Sequence, residues 1–387
     1  MGAVEFKMFL DGASATKDQL DKVDEIMVDQ AVDKAWEARI KIPVCVNNDG
    51  KWEGEEEAWM KAFSRIRVEV NPGDGKFVAL IDGQVVGFDS ARSALPGKSV
   101  VIVVVHDDSA LLNREAKVDV QQGKTDGDLA RKIFTDAQLG GVPDIDDTPP
   151  QPDSTTAASV QRGTPMQYLR ELARRNQNWH AYVLPGKLPS QSIGCFKKFP
   201  EETDGLPDMT LLGADRNIET FNVNNRAQNP CTVQAATLSL DHGSVKTSQS
   251  SFRDATLLGD QAPDASSTNQ ATCFLPPGQS DRVDLDHATQ GAATDSGFSL
   301  EATGNILPFC YPAVLSPYRW VLVKISNSKF STKYLITQVT HTLTRSIYRQ
   351  SFSMKGNGVS AGVSGNAGAP QPSANVGVSF NVQVSIF

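Results

Sequence analysis

The sequence is poor in the residues that build metal sites and disulfide frameworks. Its 387 residues include five cysteines and five histidines, all widely scattered. The cysteines are odd in number and have no C-x-x-C spacing, a pattern typical of reduced thiols in a protein made in the cytosol. No histidine stands three or four positions from another metal ligand in a helical context. We therefore predict no metal site, and the sequence contains no cofactor-binding motif.

Excess positive charge and long apolar runs are also absent. The formal net charge is -8 and the isoelectric point is near 5.2. A protein that binds nucleic-acid phosphates needs a basic surface, so we predict no specific nucleic-acid binding, although DNA or cargo could slide through an acidic channel. No apolar run approaches the ~20 residues of a membrane span, so we predict no stable membrane insertion. Residues 1–7 lack the charge pattern of a secretory signal.

Two amphipathic helices are predicted between residues 123 and 184, the stretch around which the chain is organised. The first begins at Thr125 or Asp126, because Thr125 and Asp128 form a capping-box pattern. Gly140-Gly141 ends it. Its apolar side chains, which recur at helical spacing, are Leu129, Ile133, Phe134 and Ala137.

The second helix has a stronger start. Thr164 is the predicted cap, Pro165 suits the first helical position and Gln167 completes the capping box. The alternation from Trp179 to Leu184 then predicts a strand. The apolar face of the helix consists of Tyr168, Leu169, Leu172 and Ala173, and the charged residues predicted to stay solvated are Arg170, Glu171, Arg174 and Arg175.

Short strands separated by turn signals predict a barrel or sandwich for residues 1–118. Asp82-Gly83, between Phe77–Ile81 and Val85–Phe88, predicts a hairpin with a type I′ turn, because both central residues of that turn need positive φ. Other predicted strands are Phe6–Leu10, Ile40–Val46, Ile66–Val70 and Ser99–His106. The last is a near-continuous run of valine and isoleucine, so we expect both of its faces to be buried.

A second β region is predicted for residues 205–355. Residues 243–282 interrupt it with a polar insertion, and residues 356–375 form a Gly/Ser/Ala/Pro tract. Such compositions bury too little apolar surface to become ordered alone, so we expect neighbours in a larger assembly to hold both segments. The predicted strands are Met209–Leu212, Ile218–Val223, Val233–Leu240, Trp320–Ile325, Tyr334–Leu343 and Ile347–Met354.

The final segment of the sequence alternates apolar and polar residues without a break. Such a strand can add to its own sheet or to the edge of a partner's sheet. Because a flexible tract precedes it, we predict that it binds a partner, either a spike or a neighbouring copy of the chain. The predicted partner-binding residues are Val378, Phe380, Val382, Val384, Ile386 and Phe387.

Two motifs look catalytic but lack the surroundings that such motifs need. Gly358–Gly362 matches G-x-S-x-G, yet the residues after it cannot form a stable helix and no histidine follows it. Gly123-Lys124-Thr125 precedes a helix as a P-loop does, but Val118 stands where the first glycine of that loop belongs. We therefore predict that the protein is not an enzyme.

The helical stretch resembles a known family. GKTDGDLARKIF, from residue 123, followed by RGTPMQYLRELARRNQNWHAYVLPGKL, from residue 162, resembles the second domain of tail-hub proteins. That family includes the late-control gene D hubs of contractile phages and the N-terminal half of type VI secretion spike (VgrG) proteins. The similarity continues in short patterns at residues 296–304, 315–323, 331–341 and 348–352. The sequence departs from the family at Thr332, where glycine is usual, and in the polar insertion.

The resemblance implies an α+β, mainly β fold, with two tube-like β-barrel domains and a small helix–strand domain between them. The lack of a spike module after residue 355 implies a free-standing hub whose spike is a separate protein. The implied domains are 1–118, the first barrel; 119–204, the helix–strand domain; 205–355, the second barrel with a polar insertion near 243–300; and 356–387, a Gly/Ser-rich linker with a C-terminal strand.

The resemblance also implies a function. Hubs of this family form homotrimers in which two barrels per chain imitate sixfold symmetry, and so join a hexameric inner tube to a trimeric spike. The implied partners are an inner tube protein, a separate spike protein and other baseplate proteins. The implied location is the baseplate of a phage virion or phage-tail-like particle, built from protein made in the bacterial cytoplasm.

Two other functions stand as alternatives. A cell-wall hydrolase carried on a tail tip would need paired carboxylates, for which Asp144, Asp146 and Asp147 are the candidates. They lie on a Pro-rich loop, where nothing sets the separation that a glycosidase pair requires. A secreted binding module is disfavoured by the lack of a signal pattern and by the unpaired cysteines.

Overall fold

The structure, a computed structural model, describes residues 5–53, 57, 60–73, 75–122, 124–148, 158–176, 179–198, 206–239, 243–263, 271–275 and 285–361. Its helices are α1 (Lys17–Asp21), α2 (Asp126–Asp136), α3 (Pro165–Arg175) and α4 (Leu285–Ser296). In the N-terminal half the strands are β1 (Glu5–Leu10), β2 (Ala13–Ser14), β3 (Glu25–Ala31), β4 (Glu37–Pro43), β5 (Arg65–Asn71), β6 (Val78–Ala91), β7 (Val100–Asp107), β8 (Lys117–Gln122), β9 (Asp144–Ile145), β10 (Ala158–Gly163), β11 (His180–Pro185) and β12 (Ser192–Lys197). In the C-terminal half they are β13 (Met209–Thr210), β14 (Ile218–Asn225), β15 (Cys231–Ser239), β16 (Ser244–Ser251), β17 (Ala271–Phe274), β18 (Leu300–Ile306), β19 (Trp320–Lys324), β20 (Lys333–Thr344) and β21 (Tyr348–Gly356).

One large sheet dominates the structure. It has thirteen strands, and its main path follows the order β14-β18-β21-β20-β3-β4-β7-β6-β5-β1-β2, with β19 joined to β20 and β13 joined to β19. The predicted mainly β fold is confirmed. Among the described residues these pairings form an open path from β14 to β2, and they close neither half into a barrel. Smaller sheets are formed by β8 with β10, by β11-β12-β9 and by β16-β15-β17.

The large sheet passes from residues 1–118, the first β region, into residues 205–355, the second β region. The passage is the antiparallel pairing of β3 with β20, where residue 25 stands opposite residue 344 and residue 31 opposite residue 338. Val314, Leu343 and Tyr348 of the second region pack into the hydrophobic core of the first. The two β regions are therefore joined through both a hydrogen-bonded ladder and a shared core.

Buried polar side chains hold the register of this joint. His341 Nδ1 lies 2.8 Å from the Tyr348 hydroxyl, and His341 Nε2 lies 3.2 Å from Gln30 Oε1. The Gln30 amide donates in turn to the carbonyl oxygen of Leu80 at 2.7 Å. Burial lowers the pKa of His341 to about 3, so the imidazole is neutral in the folded protein. A slip of one residue would turn His341 to the opposite face and break these contacts.

The predicted hairpin at Asp82-Gly83 is wrong. β6 runs straight through these two residues, between β5 and β7. A Cβ atom on Gly83 would stand 1.8 Å from the carbonyl oxygen of His106 in β7, so glycine is required here by close backbone packing. The prediction for Ser99–His106 is also corrected, because β7 alternates buried side chains with partly exposed ones.

Both predicted helices of residues 119–204, the helix–strand region, are present with their predicted caps. Thr125 caps α2, and Thr164 with Gln167 forms a complete capping box on α3 with Pro165 in the first turn. One detail is corrected: Arg175 is not solvated. Its Nε donates to Asp126 Oδ2 at 2.7 Å, and Asp126 is buried at the start of α2. This pair ties the two helices together, a role that helical spacing alone does not reveal.

The polar insertion forms a small unit of its own, which we call the insertion sheet: β15, β16 and β17. β15 pairs antiparallel with β16 and parallel with β17. α4 covers one face of this sheet, burying Leu285 and Ala288 against Val233 and Ala235. Neither α4 nor β16 was expected, because their sequences are rich in Ser, Thr and Asp and carry few large apolar groups.

We predict that the joint makes stability depend on pH. Unfolded histidine has a pKa near 6.5, whereas His341 in the folded protein has a pKa of about 3. Acid therefore favours the unfolded chain, and the contribution of His341 is lost as the pH falls below about 6.5. Relative to the variant His341→Gln, the free energy of unfolding of the natural protein should fall by up to about 1.4 kcal/mol per pH unit between pH 6 and pH 4.

Urea unfolding at several pH values measures this difference. Comparison with the variant cancels the effect of other groups, such as Asp107, whose pKa burial raises to about 6. Parallel curves for the two proteins would contradict the assignment of a buried neutral imidazole.

Candidate functional site: joints and uncovered sheet surfaces

The predicted partner-binding segment, Val378–Phe387, lies outside the described residues. Its assignment therefore stays a prediction. The described residues offer three other features that bear on function: an ionic cluster, an aromatic contact between regions, and the uncovered face of the insertion sheet.

A buried ionic cluster joins the first β region to the helix–strand region. Arg65 Nε donates to Asp82 Oδ1 at 2.6 Å, and Arg65 Nη2 donates to Asp108 Oδ2 at 2.6 Å. Arg67 Nη1 lies 3.1 Å from Asp82 Oδ2. The Asp82 side chain is 0% exposed and that of Arg67 is 4% exposed. The charges are thus paired inside the protein and are not offered to a ligand.

The same cluster forms hydrogen bonds to the loop that follows β11 and to the start of β12. Arg67 Nη1 donates to the carbonyl oxygen of Gly186 at 2.8 Å, and the Ser190 backbone N–H donates to Asp82 Oδ2 at 3.0 Å. Ser192 donates its hydroxyl to Asp108 Oδ2 at 2.7 Å. Charged groups bound to backbone groups in this way hold a loop in one position. The cluster therefore orients the helix–strand region on the large sheet.

Tyr318 is the point where all three regions meet. Its ring stacks on Tyr182 of β11 with centroids 3.8 Å apart, and its hydroxyl accepts a hydrogen bond from the Asp33 backbone N–H at 2.9 Å. Burial raises the pKa of both tyrosines far above the ordinary value, so both hydroxyls stay protonated. Tyr318 has φ of 65°, a left-handed conformation that costs free energy unless its surroundings hold it.

A cavity of about 350 Å³ opens beside this tyrosine pair. Its lining includes Lys197, which contacts Asp144 at 2.5 Å and Asp146 at 2.9 Å. These carboxylates are two of the three candidates for a cell-wall hydrolase, and the third, Asp147, is exposed. Both contact the same ammonium group and so neutralise one lysine at the edge of the cavity, which Asp146 also lines. The nearby thiol of Cys195 has a pKa that burial raises to about 12, which removes it as a nucleophile.

The serine motif also has a structural explanation. Val359 forms a β-bridge with Gln261, and a Cβ atom on Gly358 would stand 2.3 Å from the Gly259 nitrogen. Gly358 is thus needed for close packing of two backbones. Within the described residues no group of three or more His, Cys, Asp or Glu side chains could hold a metal ion. In the same part of the chain, no helix is both long and apolar enough to cross a membrane.

The sequence reading missed the uncovered face of the insertion sheet. Leu238 and Val245 stand directly opposite each other in the β15–β16 pairing and are 57% and 66% exposed. Phe274 in β17 is 75% exposed on the same face, since it lies opposite Gln234. β15 was predicted as a strand, but Val245 and Phe274 lie in the polar insertion, whose composition predicted no strand to place them beside Leu238.

Comparison with known proteins yields structural matches only. No protein-family model matches the sequence, and no curated protein matches it. A tail protein from Neisseria meningitidis MC58 is 13% identical with a TM-score of 0.60, over 92% of this chain and 98% of that chain. The 43 kDa tail protein of prophage MuSo2 from Shewanella oneidensis is 12% identical with a TM-score of 0.62, over 91% of this chain and 98% of that chain.

A third match extends the comparison to secretion machinery. The E. coli c3393 protein is described as a type VI secretion component similar in structure to the T4 bacteriophage tail proteins gp27 and gp5. It is 10% identical with a TM-score of 0.51, over 87% of this chain and 73% of that chain. At such low identity these likenesses establish the fold. The mainly β fold implied by the tail-hub resemblance is confirmed, while the described strand pairings do not close into the two barrels that it implied.

We predict that the ionic cluster is needed for stability. Asp82→Ala would remove the buried carboxylate that Arg65, Arg67 and the Ser190 backbone share, and would leave Arg67 with Glu69 alone, so we expect a loss of about 3–5 kcal/mol in the free energy of unfolding. Asp89→Ala is a matched control, because Asp89 is 65% exposed and pairs with Arg39 at the surface. That change should cost less than about 1 kcal/mol. Equal urea midpoints for the two variants would refute the role of the cluster.

Proposed function

We propose that this protein is a structural hub in the baseplate of a contractile tail or injection machine. The observation that supports the proposal most directly is the fold match to two tail proteins, one of them from a prophage, over more than nine-tenths of each chain. Among the described residues, ionic groups such as Arg67 and Asp82 bind each other and the loop after β11, and so hold two regions together. A protein that holds other proteins in fixed positions needs such rigid joints between its own regions.

In this proposal the protein is a homotrimer that joins a hexameric inner tube to a trimeric spike. Each chain brings two β regions, and three chains therefore present six β units around one axis. The β3–β20 ladder supports this role, because it couples the two β regions of a chain as one body. The spike is a separate protein, other baseplate proteins surround the ring, and DNA or cargo passes through its lumen.

The C-terminal segment is the proposed attachment point for the spike or for a neighbouring hub copy. The clean alternation from Val378 to Phe387 suits a strand that completes a sheet on another chain. The particle, a phage virion or a phage-tail-like assembly, is built from protein made in the bacterial cytoplasm.

We predict that the purified protein or its particle contains three copies around a common axis. Native mass spectrometry of the purified chain and an image of the particle measure the copy number and the symmetry. A stable monomer within an intact particle would refute the hub proposal.

We also predict that deleting residues 378–387 weakens assembly. The deletion removes only the terminal strand, so the circular dichroism of the chain should stay unchanged while the particle loses its spike or its hub contacts. Deletion of residues 364–369 in the linker is the control, since it shortens the tether and keeps the strand. Particles that retain the spike and the trimer after loss of residues 378–387 would contradict this part of the proposal.

A further inference from the structure

One face of the insertion sheet is covered by a helix, and the other face is exposed. α4 packs on the side of Val233 and Ala235. The opposite side exposes Leu238, Val245 and Phe274 by more than half of their surface. A small soluble unit gains stability by covering both faces of a sheet, so this exposed apolar side calls for a further layer or a neighbouring strand.

The uncovered face and its edge carry almost no charge. The polar residues on this face, placed by the strand registers, are Thr232, Gln234, Thr247, Gln249 and Thr272. β16 forms the outer edge and has no further pairing partner among the described residues. Lys246 is its only charged residue. Natural edge strands are protected by several charges, by proline or by a cover, and β16 has one lysine and no proline.

The segment that would fit this edge is present in the same sequence. No charged residue occurs after Lys355. The alternation from Val378 to Phe387 gives a strand with one apolar and one neutral polar side. An uncharged strand of this kind aggregates unless a partner covers it. The C-terminal segment and the edge of β16 are therefore both nearly uncharged, so pairing them would bury almost no charge.

The course of the chain brings the linker close to the insertion. The Ala361 backbone N–H donates to Asp260 Oδ2 at 2.8 Å, and Val359 bridges to Gln261. A segment as long as residues 362–377 can span about 20–25 Å as a random coil and about 55 Å when extended. A tether of this length is long enough to reach a sheet on a neighbouring copy.

We propose that Val378–Phe387 of one copy adds as a strand to the edge of β16 in a neighbouring copy. Its backbone pairs with the edge of β16, and its apolar side chains contact Val245, which extends the apolar face that Leu238 continues on β15. This inference rests on the proposed function, since it requires several copies in one assembly. Each copy then gives one strand and receives one, which is a head-to-tail contact that closes into a ring.

Mixed cysteine variants test the contact directly. Full-length chains carrying only Val245→Cys are mixed with chains carrying only Val382→Cys, and oxidised glutathione is added as the oxidant. Mass spectrometry should find a disulfide between residues 245 and 382 of different copies. Val118→Cys is the matched control acceptor, because Val118 is 77% exposed on β8, and it should not be linked to residue 382. A chain that carries both substitutions is tested alongside. The proposal is overturned if the 245–382 link forms only within that double variant, or if it does not form at all.

A charge substitution separates this inference from the hub proposal. Val245→Lys should weaken self-association at least tenfold in sedimentation, because burial of an unpaired ammonium is costly. Val118→Lys, at an exposed valine in another sheet, should leave association unchanged. If the natural chain forms trimers and Val245→Lys forms them equally well, the strand exchange is refuted and the hub proposal stands. If the natural chain never associates and remains single in the particle, the hub proposal itself fails.

Discussion

The pairing of β3 with β20 is the constraint on which the rest of the structure depends. It joins Gln30 to His341, which lie 311 positions apart in the chain. Closing so long a loop costs only slightly more entropy than closing a shorter one, so a single good ladder can unite the two ends. Its buried histidine and glutamine allow one register only, because every polar atom must find its partner away from water.

The helix–strand region is positioned by charge where the β regions are positioned by a ladder. Asp82, fully buried, receives Arg65, Arg67 and the backbone of Ser190. Paired charges of this sort contribute little net stability compared with an apolar core. Any other arrangement would leave a buried charge without its partner, which is strongly destabilising. Tyr318 adds an aromatic contact at the same junction. The ionic cluster and the tyrosine contact therefore fix how the three regions are oriented relative to one another.

The internal joints and the neutral, uncovered surface of the insertion sheet both suit a protein that associates with others. Ionic groups in the described interior are used to hold regions in place, and the exposed apolar residues Leu238, Val245 and Phe274 gather on one small sheet. A rigid body with a few neutral edges can associate with copies of itself without desolvating charges. This combination is consistent with the proposed role as a structural hub.

Local signals in the sequence were sufficient wherever structure depends on near neighbours. The cap at Thr164, Pro165 and Gln167 and the alternation of the main strands predicted α3 and most of the large sheet, because capping and side-chain alternation involve residues a few positions apart. The tertiary structure decided what depends on distant partners. Asp82-Gly83 has turn chemistry, yet β7 and two arginines hold it in a strand, and Arg175 has a solvated pattern, yet Asp126 buries it. The union of β3 with β20 could not be predicted, since no local pattern records which distant edge a strand will meet.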